Sequence, residues 1–204
     1  MYPENYLLYL QIIVFLFITP GSPRVLIISY SMTYGITKST WTAFGDITAN
    51  TLQMIIVTFI IGSILISYPQ IMIAMKWLGV FYLLYLAYEL FRSGVKNFNS
   101  NNQATAKSTL SFFRDGFLVA GLSPKALIFF GAIFPNFINF QENYISQFLI
   151  LAITYVVLDF LTLMIYGLGA RKISVWLQAN PKTINIVSST ALLIIALVTI
   201  FIKV

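Results

Sequence analysis

Gly21-Ser22-Pro23-Arg24-Val25-Leu26-Ile27-Ile28 interrupts an apolar run that otherwise extends from Tyr6 to Tyr34, and Leu122-Ser123-Pro124-Lys125-Ala126-Leu127-Ile128-Phe129 repeats its serine, proline and cation later in the chain. Proline removes a backbone donor and collides with the preceding turn. A charged side chain at the centre of a spanning helix costs about 2.5–3.5 kcal/mol on insertion scales. Both features together, in both halves, predict a helix break of shared purpose in each.

The surroundings of these stretches are membrane-like. Of 204 residues, 59% are apolar and 9% charged, with a mean hydropathy of +0.87, against the roughly 45–50% apolar content of a soluble domain. Apolar runs near Tyr6–Tyr34, Trp41–Ser67, Pro69–Arg92, Phe112–Phe137, Ser146–Gly169 and Thr183–Ile202 each have the roughly 20 residues that cross a bilayer core. The reading is an all-α membrane protein with six transmembrane helices, spans one and four broken at proline. The start Met1-Tyr2-Pro3-Glu4 has no basic n-region, so the first run is expected to be a retained span, not a signal peptide. The Asn/Ser/Thr-rich segment 93–111 reads as a cytoplasmic linker between three-helix repeats at 1–92 and 112–204, the whole forming one membrane domain.

Cys and His are absent, which removes thiol redox chemistry, imidazole catalysis and Cys/His metal sites; no cofactor or metal is expected. The net charge of +6 comes without a basic run or basic-aromatic platform, so no nucleic-acid partner is expected. Lys38, Arg92, Lys96, Lys107, Arg114, Arg171, Lys172 and Lys182 fall on one side of the six spans, Lys76 and Lys203 on the other. The positive-inside rule then puts both termini outside the cytoplasmic membrane. Three spans per repeat make the second repeat inverted relative to the first, as in inverted-repeat transporters.

At ~1.5 Å per residue, Pro20 and Pro23 lie roughly 21–26 Å into a hydrocarbon layer of about 30 Å, and Pro124 about 18 Å in. A broken span exposes backbone N–H groups with the partial positive charge of a helix start, to which Arg24 and Lys125 add full charges. A kink with snorkelled cations accounts for one such motif alone; the matched pair favours two cradles meeting at one anion site. Gly21, Ser22, Pro23, Arg24, Ser123, Pro124 and Lys125 are its expected lining.

Span two places Thr42, Asp46, Asn50 and Gln53 on one helical face, and span five does so with Tyr155, Asp159, Thr162 and Tyr166. Such stripes must face protein or water. Asn50, Gln53 and Tyr155 are therefore substrate-lining candidates, and Asp159 and Asp46 proton-coupling candidates. Asp159, the deeper acid, suits proton exchange, unless an ion pair with Arg24 or Lys125 holds it ionised. Asp46 is expected near the cytoplasmic end, where solvation or helix capping competes with a proton role. Glu89 and Arg92, three apart, read as a structural pair. Gly35, Ser39, Gly45, Ala49, Gly116, Gly121, Gly167 and Gly169 supply small contact surfaces for close helix approach.

With these residues in hand, the chain resembles the lysine-exporter and homoserine/threonine-exporter (LysE/RhtB type) family of bacterial amino-acid exporters. Thr19-Pro20-Gly21, Met75-Lys76-Trp77-Leu78-Gly79, Tyr82-Leu83-Leu84-Tyr85-Leu86, Phe113-Arg114-Asp115-Gly116-Phe117, Ser123-Pro124-Lys125-Ala126 and Pro135-Asn136-Phe137-Ile138 carry the likeness. Asp159 falls where the family often has an aspartate. Ser123 stands for the family's Asn, the second proline of the first motif comes one residue late, and Ser39 and Ala49 replace expected glycines.

The resemblance implies export of amino acids, and two cations with one deep acid favour a neutral one. The expected partners are the amino-acid substrate, protons and the lipid bilayer, with a homo-oligomer left open. Alternating access with proton antiport is the first reading; a passive channel or facilitator for small polar solutes is the alternative, which needs no proton-binding acid. An intramembrane enzyme would need a nucleophile beside a base, and Ser123 and Lys125, two apart, point differently from any helix. The protein is not expected to be an enzyme.

Overall fold

The computed structural model describes residues 3, 5–18, 21–61, 68–92 and 107–201. Thr19, Pro20, the segment 93–106 and the Glu89 side chain lie outside the described residues, so the expectations placed on them do too. The described residues are helical, with no strand among them. They form α1 (Tyr6–Ile18), α2 (Ser22–Tyr34), α3 (Ile36–Ile55), α4 (Pro69–Arg92), α5 (Thr109–Gly121), α6 (Pro124–Ile128), α7 (Tyr144–Leu168), α8 (Ala170–Ala179) and α9 (Pro181–Phe201). A π-helical turn, Ile56–Ile61, extends α3; another, Phe129–Ile133, followed by a 3-10 turn, Phe134–Phe137, extends α6.

Two helices, Ile36–Ile60 and Tyr144–Leu168, are long and apolar enough to cross a membrane. Two bent pairs bring the number to four if each is one span. Tyr6–Ile18 and Ser22–Tyr34 meet at 49°, and Thr109–Gly121 and Lys125–Phe137 at 59°. Both bends fall at the Ser-Pro-cation stretches. Gly21 is extended (φ −109°, ψ 177°) with Pro23 in the first turn of α2, and Ser123 is extended (φ −67°, ψ 115°) just before Pro124. Ser123, directly before Pro124, is held out of the α region, and proline in a first turn needs no donor, so Pro23 and Pro124 each suit the start of a new helix.

No loop separates α2 from α3. Gly35 alone turns the chain, at φ 84° and ψ 160°, a conformation essentially reserved for glycine. This start corrects the expected position of Asp46. With α3 beginning at Ile36 and not Trp41, Asp46 lies mid-helix and is 1% exposed, not solvated near an end. The linker also ends earlier than expected. Ser108 caps α5 by accepting from Ser111 N, so the helix already includes residues 109–111.

α3 and α5 pack at backbone contact. A Cβ on Gly45 would lie 2.0 Å from the carbonyl oxygen of Phe113, and one on Gly116 would lie 2.0 Å from that of Thr42. Only hydrogen fits there, which brings the polar face of α3 close to the second half. α7 also packs on α3 and α2, and α9 packs on α4. Along α7, Leu149, Ile153, Val157, Leu161 and Ile165 are exposed, whereas Leu151, Tyr155, Asp159 and Leu163 are buried. The apolar stripe faces outward and the acid inward, the arrangement a lipid solvent selects.

Beyond the breaks, Tyr9, Phe129, Phe130, Phe134, Phe137 and Tyr155 form a buried aromatic cluster with edge-to-face and stacked rings. Asn136 Nδ2 donates to the carbonyls of Ala132 (2.7 Å) and Ile133 (3.1 Å), satisfying acceptors that the irregular end of the π and 3-10 turns leaves free.

Candidate functional site

The first break positions Arg24. Its residue is 6% exposed, and its guanidinium Nη2 donates to Asp159 Oδ1 of α7 at 2.5 Å, with Asp159 wholly buried. The guanidinium also lies over the Phe17 ring, 4.9 Å from its centre. A full ion pair thus sits inside the bundle, joining the first half to the second. Nε, beside Nη2 on the same guanidinium edge, has no hydrogen-bond partner among the described residues.

Asn50 joins this pair to the other acid. Its Nδ2 donates to Asp159 Oδ2 and to Asp46 Oδ2, both at 2.9 Å. Asp46 Oδ1, Asn50 Oδ1 and Thr42 Oγ1 are buried without a partner among the described residues. Asn50 thus brings the polar face of α3 to Asp159, and Asp46 is as much part of the cluster as the deeper acid.

The second break contributes differently. Lys125 Nζ donates to the carbonyl of Leu16 at 2.8 Å, in the last turn of α1. Tyr166 donates its hydroxyl to the carbonyl of Ile18 at 3.0 Å, and Gln53 Nε2 donates to the carbonyl of Gly121, the last residue of α5, at 3.0 Å. The last carbonyls of a helix have no intrahelical partner. Each interrupted helix is therefore finished by a side chain from elsewhere: α1 by Lys125 and Tyr166 of the second half, α5 by Gln53 of the first. Lys125 is directed to a helix end in this state, whereas Arg24 is directed to the acid.

Of the remaining expected residues, Pro23 and Ser123 are buried, Gly21 is partly exposed and Ser22 is exposed, with no capping bond from Gly21 or Ser123. Pro124 opens α6. Tyr155 is buried between the Phe17 and Phe130 rings, both edge-to-face with it. The structure thus brings together Arg24, Asp159, Asn50 and Asp46, with Tyr155 adjoining through Phe17, and leaves Ser22 apart.

A second polar cluster was not anticipated. Tyr30 of α2 donates its hydroxyl to Asp115 Oδ2 of α5 (2.8 Å), and Lys107 donates to both the Tyr30 hydroxyl (2.6 Å) and Asp115 Oδ2 (2.9 Å). These bonds, that to Tyr30 foremost, push the Lys107 ammonium above the usual lysine range. The sequence signal was Asp115, an acid between Arg114 and Gly116 in a largely apolar helix.

Comparison with known proteins bears on what this arrangement serves. The sequence matches the LysE type translocator family model over residues 14–202. It is 27% identical over 183 residues to a homoserine/homoserine lactone efflux protein of Salmonella typhi, covering 88% of this chain and 86% of that protein. It is 22% identical over 179 residues to a leucine efflux protein of Klebsiella pneumoniae, covering 87% and 84%. A Vibrio cholerae protein described only as an uncharacterized membrane protein is 26% identical over 174 residues, covering 85% and 84%. No solved structure matches.

Proposed function

The chain belongs to the LysE type translocator family, and from that premise we propose that it exports neutral amino acids across the cytoplasmic membrane by alternating access, in exchange for protons. Its six spans form two inverted three-helix repeats with both termini outside, and the substrate binds where the two breaks meet. The relatives named for efflux of homoserine and leucine support a neutral amino acid.

The observation that carries this reading is the buried Arg24–Asp159 pair. An amino acid holds on one carbon the same two charges. Entering between them, its carboxylate replaces Asp159 at the guanidinium while its ammonium replaces the guanidinium at Asp159. Neither buried charge is then left unpaired, the condition that makes such exchange affordable in a low-dielectric site. The unpartnered Nε beside Nη2 lets the carboxylate bind along that edge in bidentate fashion. Gln53 and Tyr155 border the substrate, and Ser22, Ser123 and Pro124 shape the ends of the breaks. Lys125, bonded to α1 in the structure, reaches the carboxylate once the halves move.

The experiment is efflux of labelled L-homoserine and L-leucine from proteoliposomes under an imposed proton gradient. Gradient-driven efflux that is lost in Arg24→Gln and Asp159→Asn is the expected result. Efflux that only equilibrates, unmoved by collapse of the gradient, would make the protein a facilitator instead.

A further inference from the structure

The exchange of an ion pair for a zwitterion uses Arg24 and Asp159 and leaves Asp46 without a task, although Asp46 is 1% exposed. Its Oδ2 and that of Asp159 accept from the same nitrogen of Asn50. The two carboxylates are thus no farther apart than two 2.9 Å bonds laid end to end. Asp159 has a guanidinium as well; Asp46 has only the neutral amide, and its Oδ1 has no partner.

Among the described residues, the groups around Asp46 offer it no cation of its own. α7 presents Asp159 and Tyr155, and α2 presents Arg24, already bonded to Asp159. Against Gly45, the nearest atoms of α5 are backbone atoms of Phe113 and Phe117; its Arg114 is exposed, and its Asp115 is engaged by Tyr30 and Lys107. Lys125 of α6 is turned to Leu16. Lys125 acts on Arg24 and Asp159 but is not among the groups that act on Asp46, so the two carboxylates share one guanidinium at Asp46, and like charges this close in a water-excluded site do not both ionise readily. The unpartnered acceptors point the same way: among the described residues Asp46 Oδ1 and Asn50 Oδ1 have no donor, and the one amide between the acids already gives its protons to Asp46 Oδ2 and Asp159 Oδ2.

We propose that the Asp46 carboxyl group binds the exchanged proton. This rests on the exporter reading and names the residue through which its coupling works. In the state described, Asp46 is the neutral acid and Asp159 is the partner of Arg24. When the O–H bond of Asp46 breaks and the proton passes to cytoplasmic water, the new carboxylate repels Asp159 across Asn50 and competes for Arg24. The Arg24–Asp159 pair loosens, and a zwitterion enters. After the substrate leaves on the outer side, a proton from that side restores the neutral acid. Asp46 is thereby the proton site, Asp159 the substrate site and Asn50 the connection between them.

Infrared difference spectroscopy of the purified full chain tests this without any transport. An acidic carboxyl gives a carbonyl-stretch band that a carboxylate lacks. The expected result is a band at neutral pH that disappears in Asp46→Asn and persists in Asp159→Asn. A band that survives in Asp46→Asn, or no band in the wild type, would overturn the proposal. A second measurement is the ratio of L-leucine efflux with and without a proton gradient: several-fold in the wild type and in Asp46→Glu, about one in Asp46→Asn. Gradient stimulation retained by Asp46→Asn would also refute it. Absence of efflux from the wild type for every amino acid tried would instead refute the exporter reading, leaving the infrared assignment to stand or fall alone.

Discussion

Removing either partner of the Arg24–Asp159 pair singly should be far more damaging than removing both. Arg24→Gln leaves a wholly buried Asp159 carboxylate with only the Asn50 amide as donor, and Asp159→Asn leaves a guanidinium with no acid and its Nε still unpartnered. Breaking a buried pair in this way costs about 3–5 kcal/mol. In a chain of this size a kcal/mol moves the midpoint by about 2–4 °C, so each single variant should melt about 6–20 °C below the wild type. The double variant Arg24→Gln/Asp159→Asn buries no unpaired charge and should recover most of that loss. The assay is thermal unfolding of the purified protein in one detergent, followed by tryptophan fluorescence. Single losses under about 1 kcal/mol, or a double loss equal to the sum of the singles, would mean that the two groups are not coupled and that the site is misread.

Gly116→Ala should lower stability by about 1–3 kcal/mol or more, because its new carbon would sit 2.0 Å from a backbone oxygen of Thr42, whereas Gly121→Ala, which meets the Ala49 Cβ at an ordinary 3.7 Å, should be close to neutral; the same unfolding assay separates them. Lys125→Met should cost about 1.5–3 kcal/mol through the lost charged hydrogen bond to the end of α1, and Lys125→Gln, which keeps a donor, should recover part of it. Lys107→Met should cost no more than about 1 kcal/mol, because the pair with Asp115 is partly exposed. Since the Lys107 ammonium is pushed above the usual range, its contribution is fully present below the unfolded value of about 10.4 and is lost only as pH rises through the higher folded value. The difference between wild type and Lys107→Met should therefore be flat through neutral pH and fade only in strong alkali, as unfolding at a series of pH values would reveal.

The breaks were legible in the sequence because proline acts through its own covalent geometry: Pro23 and Pro124 dictate a bend wherever the rest of the chain goes. The inward facing of Asp159 was equally plain, since an acid among Leu158, Phe160 and Leu161 must avoid lipid. Partners were not legible. Arg24 and Asp159 are 135 residues apart, and nothing local tells Arg24 to meet the acid while Lys125 meets the carbonyl of Leu16. The depth of Asp46 depended on α3 starting directly after Gly35, a turn without a loop that an apolar-run reading places five residues late. The Tyr30–Asp115–Lys107 cluster joins residues 85 and 77 apart, so Asp115 stood out in its helix but its partners did not.

The central claim is that the site recognises both charges of a zwitterion. It is tested most directly by the stabilisation that L-leucine, its methyl ester and its deaminated analogue isocaproate each give the purified protein. At a hundred times its dissociation constant a ligand adds about 2.7 kcal/mol of stability, or roughly 5–10 °C here. The account predicts such a rise for leucine alone, with none from the ester, which lacks the carboxylate Arg24 needs, or from isocaproate, which lacks the ammonium Asp159 needs. Equal stabilisation by either analogue, or a leucine response undiminished in the Arg24→Gln/Asp159→Asn protein, would contradict it.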